Sequence, residues 1–430
     1  MKIIKNILTA ILAAVLVSAL SANVFGAAAD FGNFTNSGAY SPGQFRDVEE
    51  SDWFARYVED ACNYGFFQGK SEREFDPQGD LTLGEAVTLA ARLRSIYHTG
   101  SADFTEGAPF YAVYRDYAIS HGMIDPNIEY DYSAPAVRAQ FAELLYRALP
   151  PEALAQINTI ADNGVNDVVS SDAFGDAVYS LYRAGVITGS DRFGTFFPYT
   201  NISRAEASAI MVRLAVPAAR QRVSLPTQIP AEIIYQRGID AVFMLETFDE
   251  DGESIRTGSG FFISSDGFAV TLLHVLDYAA GATATLSGGE VYDVNGVYAI
   301  DRENNLALLF IDTEGGAHSF LNLADSDAIE TGNTVYTLGN PQSLFGTLTE
   351  GLISTTSREL GGQDMIQFSA PISFGSGGSP LLNALGQVIG IASSSYSYGQ
   401  NLNLAVPINP VRELQPGEYV TLISLYSNGT

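Results

Sequence analysis

Phe368-Ser369-Ala370-Pro371-Ile372-Ser373-Phe374-Gly375-Ser376-Gly377-Gly378-Ser379-Pro380-Leu381-Leu382-Asn383 decides the reading of the second half of this 430-residue chain. An apolar run enters the stretch, three glycines turn it, and a strand-like run, Gly386-Gln387-Val388-Ile389-Gly390-Ile391, follows. Glycine lets a backbone approach another group closely and adopt conformations closed to other residues. Two amide N–H groups of such a turn can converge on one point and stabilise negative charge there. The expectation is a loop between two strands of a β domain, with much of its chemistry in the backbone.

Working outward, the flanks alternate as strands do. Ala241 to Phe248 and Gly258 to Ile263 bracket a turn at Asp249-Glu250-Asp251-Gly252-Glu253, and the Asp-Gly pair is a strong hairpin signal. The acidic cluster lacks the spaced ligands of a calcium loop, so no metal is expected. Then come Asp266-Gly267-Phe268-Ala269-Val270-Thr271-Leu272-Leu273-His274 and, some thirty residues on, Asn304-Asn305-Leu306-Ala307-Leu308-Leu309. Further ordered marks are Tyr336-Thr337-Leu338-Gly339-Asn340-Pro341, Glu350-Gly351-Leu352-Ile353-Ser354 and Gly399 to Ile408.

Taken in order, these marks resemble trypsin-fold serine peptidases of the HtrA type, over roughly 232–412. The resemblance implies an all-β domain of two six-stranded antiparallel barrels with the site between them, assigned to 230–415 with a tail at 416–430. It implies His274 as the catalytic base and an aspartate directly before Leu-Ala-Leu-Leu, where this chain has Asn305. The nucleophile position falls on Gly377, flanked by Gly375 and Gly378 of the oxyanion loop. No PDZ-like segment is expected after the barrel.

Two of three triad positions are therefore altered. Glycine has no atom able to attack a carbonyl. Asparagine cannot carry the charge that stabilises an imidazolium and can favour the wrong tautomer, a change that costs on the order of 10⁴ in turnover in a trypsin-type triad. Ser376 and Ser379 are the candidate replacements, but neighbouring side chains point in different directions, so either needs a rebuilt loop. Asp301 and Glu303 lie on the wrong side of the strand start to replace the aspartate. Pro371, six residues before Gly377, carries no acid, so no basic specificity pocket is indicated. Three readings follow: a non-cleaving module that binds a peptide or protein ligand, an active endopeptidase using Ser376 or Ser379 with His274, or a structural component of a surface layer.

The first half repeats itself. Phe45-Arg46-Asp47-Val48, Trp53-Phe54, Gly65 to Gly69, Phe75-Asp76-Pro77 and Leu81-Thr82-Leu83-Gly84-Glu85 recur as Asn166-Asp167-Val168, Gly185-Val186-Ile187-Thr188-Gly189, Phe196-Phe197-Pro198 and Ile202-Ser203-Arg204-Ala205-Glu206. A middle copy runs through His121-Gly122-Met123-Ile124 to Val137-Arg138-Ala139-Gln140. Each copy reads as helix, glycine stop, loop and capped helix, and three such units must pack together to bury their apolar faces.

The repeat resembles the S-layer homology domain, over 45–215 in copies at about 45–100, 108–150 and 160–215, and an all-α domain is expected. The resemblance implies attachment to a secondary cell-wall polysaccharide on a Gram-positive-type surface, with Asp47, Trp53, Arg138, Gly189 and Arg204 as polymer-site residues. A guanidinium beside a helix N-terminus suits an anionic sugar. Leu83 replaces the arginine in the first copy.

Composition bounds the rest. Lys2, Lys5, an apolar run from Ile7 to Leu20 and small residues to Ala29 read as a secretory signal peptide over 1–29, followed by a Gly/Ser/Asn-rich tether at 30–44 and an interdomain linker at 216–229. No membrane span is expected after signal cleavage. A formal net charge of −27 argues against a nucleic-acid partner. The single cysteine, Cys62, cannot form an intramolecular disulfide, and no cofactor is indicated.

Overall fold

The computed structural model describes residues 30–105, 107–294, 296–313, 318–393 and 402–427. The signal-peptide reading at 1–29 and the start of the Gly399 mark lie outside the described residues. The chain forms two compact units. One takes in the chain up to Ile160, Asp176–Thr188 and Pro198–Ser224, and the other Ala161–Gly175, Gly189–Phe197 and the chain from Leu225.

The first unit is helical. Its helices are α1 (Ala55–Asn63), α2 (Leu83–Thr99), α3 (Ala112–Ser120), α4 (Arg138–Ala148), α5 (Gly175–Arg183, all but its first residue) and α6 (Arg204–Ala215). Thr82 and Ser203 cap α2 and α6, each paired with a glutamate three residues on that returns the bond to the cap amide. The segments before α2, α4 and α6 meet in a closed ring of backbone hydrogen bonds. Leu81 N donates to Ile202 O (2.9 Å), Ile202 N to Ala136 O (3.0 Å) and Ala136 N to Leu81 O (2.7 Å). One residue from each copy is thus buried at a pseudo-threefold centre. The unit is not purely helical as expected, because these segments also form the bridges Asp80–Ser203, Thr82–Pro135 and Val137–Asn201. Buried backbone groups need partners, and each copy finds them in its neighbour.

The second unit is β-rich. Its first sheet contains β1 (Val242–Phe248), β2 (Ser254–Phe262), β3 (Phe268–Leu272), β4 (Gly281–Thr285), β5 (Val291–Val294), β7 (Ala299–Asp301) and β8 (Leu306–Phe310), in the order β5-β4-β1-β2-β3-β8-β7. A closed six-stranded barrel follows, ordered β10 (Thr347–Leu360), β11 (Gln363–Phe368), β14 (Asn403–Pro407), β13 (Val388–Ser393), β12 (Pro380–Asn383) and β9 (Thr334–Gly339). Two closed barrels were expected. The first sheet instead stays open, because β5 and β7 do not pair with each other. Between them in sequence, β6 (Gly296–Val297) pairs with β15 (Val420–Thr421).

That pairing corrects the assignment of 416–430 as a tail. Helix α8 (Leu422–Ser427) follows β15, and Leu422 and Leu425 join the core of the unit. The third copy's loops, assigned by repeat to the helical domain, fold with the barrel. Arg237, on α7 (Ala231–Gly238), donates to Asn166 Oδ1, Asp191 Oδ2 and Thr195 Oγ1, each at 2.9 Å. Gln387 Nε2, buried, donates to Val165 O (3.0 Å). Repeat spacing reports ancestry of a segment; which core it joins depends on the surface it meets.

Candidate functional site

His274 sits on a single tight turn, Leu273–Leu276, that ends β3 and is pinned by buried Leu273, Val275 and Leu276. Asn305, directly before β8, has a left-handed backbone (φ 58), which asparagine tolerates better than most residues. Its backbone O accepts from Leu273 N (2.8 Å), its Oδ1 accepts from His274 N (2.9 Å), and its Nδ2 lies 2.8 Å from His274 Nδ1. The amide orientation follows from the partners: a backbone N–H can meet only the carbonyl oxygen, so Nδ2–H faces the ring. His274 Nδ1 therefore accepts, and the neutral ring carries its proton on Nε2. In a working triad the arrangement is the reverse: Nδ1–H donates to aspartate and Nε2 accepts from serine. Burial, and next the Arg256 cation, push the His274 pKa below the usual histidine value, against the Asn305 contact and Asp277, which raise it.

The glycine loop faces the same space. Gly375 and Gly377 line an open cleft of about 680 Å³ together with His274, Ile255, Arg256, Asp277 and Phe374. Gly375 needs its positive φ of 89° and its missing side chain, since a Cβ there would lie 2.6 Å from Asn340 O. Gly377 is not among the positive-φ residues. The loop is held by Ser259, whose Oγ donates to Gly375 O (2.9 Å) and whose N donates to Gly377 O (2.8 Å). The amides of Gly375 and Gly377 donate to no acceptor among the described residues, whereas Gly378 N donates to Ala392 O (2.9 Å) and is spent on the barrel.

Neither candidate replacement serine lines the cleft. Ser376 is buried, and its Oγ accepts from Ser373 N (3.2 Å) in a local turn. Ser379 is fully buried against Gly339, and its Oγ has no hydrogen-bond partner among the described residues. The loop's own turn points both hydroxyls into the protein, away from the cleft lining that holds His274. Asp301 accepts from Asn304 N and Nδ2 (2.9 and 2.6 Å) and so caps a turn. Sequence reasoning missed Arg256, which donates to the His274 carbonyl, and Phe374, 84% exposed at the cleft. Neither belongs to a chemical motif, so only their position announces them.

Among the expected polymer-site residues, the arginines and Asp47 are taken up by the fold. Asp47 clamps a loop, accepting from Phe75 N and Asp76 N (2.9 and 2.7 Å), and Asp167 does the same for Phe196 and Phe197. Arg138, 5% exposed, pairs with Glu206. Arg204, also 5% exposed, donates to Phe75 O (2.9 Å) and Gln68 O (2.7 Å) and lies over the Phe75 ring. The two arginines share one cause: a charge at a helix start facing a neighbouring copy is satisfied there. Gly189 (φ 84) is a close-approach residue whose Cβ would meet Gly194 at 2.4 Å. Trp53 alone of the five is open, 59% exposed beside Phe54 and Tyr57.

Comparison with known proteins agrees with this division. The trypsin-like peptidase domain model matches residues 258–391, and the S-layer homology domain model matches 44–87 and 166–208. The "Putative serine protease HhoA" of Synechocystis sp. is 34% identical over 165 residues, 37% of this chain and 42% of the relative. Serine protease HTRA1A of Danio rerio is 34% identical over 173 residues, 39% of this chain and 35% of the relative. The chain thus spans less than half the length of these curated relatives. A solved HtrA-type protease, AlgW with tripeptide, aligns at 31% identity over 43% of this chain and 62% of its own, with a TM-score of 0.39. No helix among the described residues is long and apolar enough to cross a membrane. S-layer homology domains typically bind cell-wall polymers, which fits a wall polysaccharide as partner and anchoring at a cell surface. On these matches the chain carries two S-layer homology segments and a trypsin-like peptidase domain that is similar to HtrA-type proteases.

Proposed function

We propose that this is a secreted protein of a Gram-positive-type wall whose trypsin-like domain binds a peptide or protein partner without cleaving it. The observation that carries the reading is the pairing, in one cleft, of Gly377 with a histidine whose Nδ1 faces the Asn305 amide. The cleft offers no nucleophilic atom from the loop, and the base holds its proton on the nitrogen that must accept one. The inward-turned Ser376 and Ser379 weigh against cleavage by a displaced serine. Peptide binding needs neither group, because extended segments are held by backbone and pocket contacts. Trp53, exposed on the first copy, is the residue through which we expect the repeats to meet wall polymer.

Labelling with a fluorophosphonate probe tests the reading. The purified protein is expected to remain unlabelled at concentrations that label an active trypsin-like control within minutes. Labelling that disappears in His274→Ala would show a working serine and overturn the proposal.

A further inference from the structure

Resting on that non-catalytic reading, we propose that the cleft selects an extended peptide segment carrying an acidic side chain close to an apolar one, and that Arg256 reads the acid. The placement of Arg256 comes from an irregularity in the sheet. β2 pairs with β1 as Arg256 with Thr247 and Ser254 with Phe248, which leaves Ile255 without a partner as a bulge. Strand neighbours ordinarily point to opposite faces, and a bulge re-aims them. Ile255 and Arg256 accordingly both line the cleft, between Ser254 and Thr257. β3 pairs with β2 only at Phe261 and Phe262, so the Ser254–Thr257 end has a strand on one side only, and an extended segment can lie along the other. The Arg256 guanidinium is anchored there by donating to the His274 carbonyl, and His274 takes part through that carbonyl alone.

Arg256 is exposed and has no carboxylate partner among the described residues. Acidic residues outnumber basic ones by 49 to 22 in this chain, yet no described carboxylate is placed against this cation. A guanidinium carries its N–H donors in a planar fork that matches the two oxygens of a carboxylate, and one bond to the His274 carbonyl leaves most of the fork for a ligand. Hydrogen bonds between two charged groups are roughly twice as strong as those between neutral ones. Asp277, the one carboxylate on the lining, has a contact of its own within the protein and opposes an acidic ligand, so selection depends on how closely the ligand's acid approaches Arg256. Ile255 and Phe374, 41% and 84% exposed on the lining, supply apolar surface for the neighbouring side chain of the peptide. The chain's net charge of −27 favours basic peptides at long range, but charges beyond about 8 Å are largely screened at physiological salt. Bulk charge and local cation therefore call for opposite peptides.

The test uses C-terminally amidated octapeptides, labelled at the N-terminus with tetramethylrhodamine, in which leucine or phenylalanine alternates with glutamate, glutamine or lysine. Fluorescence polarisation on the full chain is the readout. The glutamate series is expected to bind about 10-fold more tightly than the glutamine series, the order for hydrogen bonds to a charged group. Arg256→Gln should bring the glutamate series down to the level of the glutamine series. Arg256→Lys should keep part of the preference, and Arg256→Glu should turn it toward the lysine series. Should the variants fail to fold, the wild type in salt carries the test: the preference for glutamate over glutamine should shrink about threefold or more between roughly 0.05 M and 1 M sodium chloride. Equal binding of glutamate and glutamine series, or a wild-type preference for lysine, would overturn the acid-reading site while leaving a peptide-binding module. A glutamate preference that survives in Arg256→Gln, or that is indifferent to salt, would remove Arg256 from the role. Binding of none of the three series would overturn both the selection and the peptide-binding reading, and fluorophosphonate labelling of the wild type would overturn the non-catalytic reading alone.

Discussion

Restoring the missing triad atoms should restore chemistry, and the order of restoration should follow from the Asn305 geometry. Asn305 holds His274 N at 2.9 Å through Oδ1 and His274 Nδ1 at 2.8 Å through Nδ2. Aspartate is close to isosteric. One carboxylate oxygen keeps the backbone bond, and the other accepts from Nδ1–H, which moves the ring proton and turns Nε2 into an acceptor. The tautomer change is worth on the order of 10⁴ in rate, about 5.5 kcal/mol. Gly377→Ser alone should therefore react with a fluorophosphonate about 10⁴-fold more slowly than Gly377→Ser combined with Asn305→Asp. Gly377 has no positive φ, so serine meets no backbone barrier there. The assay is the second-order labelling rate by quenched-flow and gel fluorescence, with thermal melts to establish that each variant is folded. A single variant within tenfold of the double would refute the claim that Asn305 sets the tautomer. A folded double variant that never labels would refute the assignment of Gly377 to the nucleophile position.

Three further outcomes are expected. Trp53→Ala, at an exposed side chain, should reduce retention on purified cell walls at least tenfold with a melting temperature within about 2 °C of wild type, a surface change being worth about 0.5 kcal/mol or less; full retention would remove Trp53 from the polymer site. Burial pushes the Cys62 thiol up to about 11, so at pH 8 it should react with a disulfide reagent on the order of 10²-fold more slowly than a free cysteine until the protein is denatured; rapid native-state labelling would contradict the packing. Arg237→Ala removes three hydrogen bonds, one to the Asp191 carboxylate, and should destabilise the β-rich unit by about 2 kcal/mol in urea unfolding. An unchanged midpoint would mean that loops 161–175 and 189–197 are not bound to it as described.

Much of this was legible in residue order. His274, Asn305 and Gly377 stand at recognisable distances from glycine and apolar marks, and local rules tie such marks to strand ends and tight turns. The repeats were legible for the same reason: caps such as Thr82 with Glu85, and Ser203 with Glu206, are interactions over three residues. What eluded sequence reasoning depends on partners far away in the chain. Asp47 looks like a ligand residue until its carboxylate is seen on backbone amides some thirty residues on. Arg138 and Arg204 look like sugar contacts until each is found buried in a neighbouring copy. The end of the chain looked like a tail because two strand residues and a six-residue helix carry too little periodicity to be noticed before β6 pairs with them.

The sequence by itself determined which atoms exist: no side chain at Gly377, no carboxylate at Asn305, one histidine between apolar runs, and three copies of a capped-helix unit. Those facts set what chemistry is impossible, since no folding supplies an absent oxygen. Tertiary structure decided where the remaining groups face. It turned Ser376 and Ser379 inward, fixed the proton of His274 on Nε2 through the Asn305 amide, and left the Gly375 and Gly377 amides lining the cleft. Hydrogen-bond direction is a property of pairs brought together by folding, and no single residue in the sequence carries it.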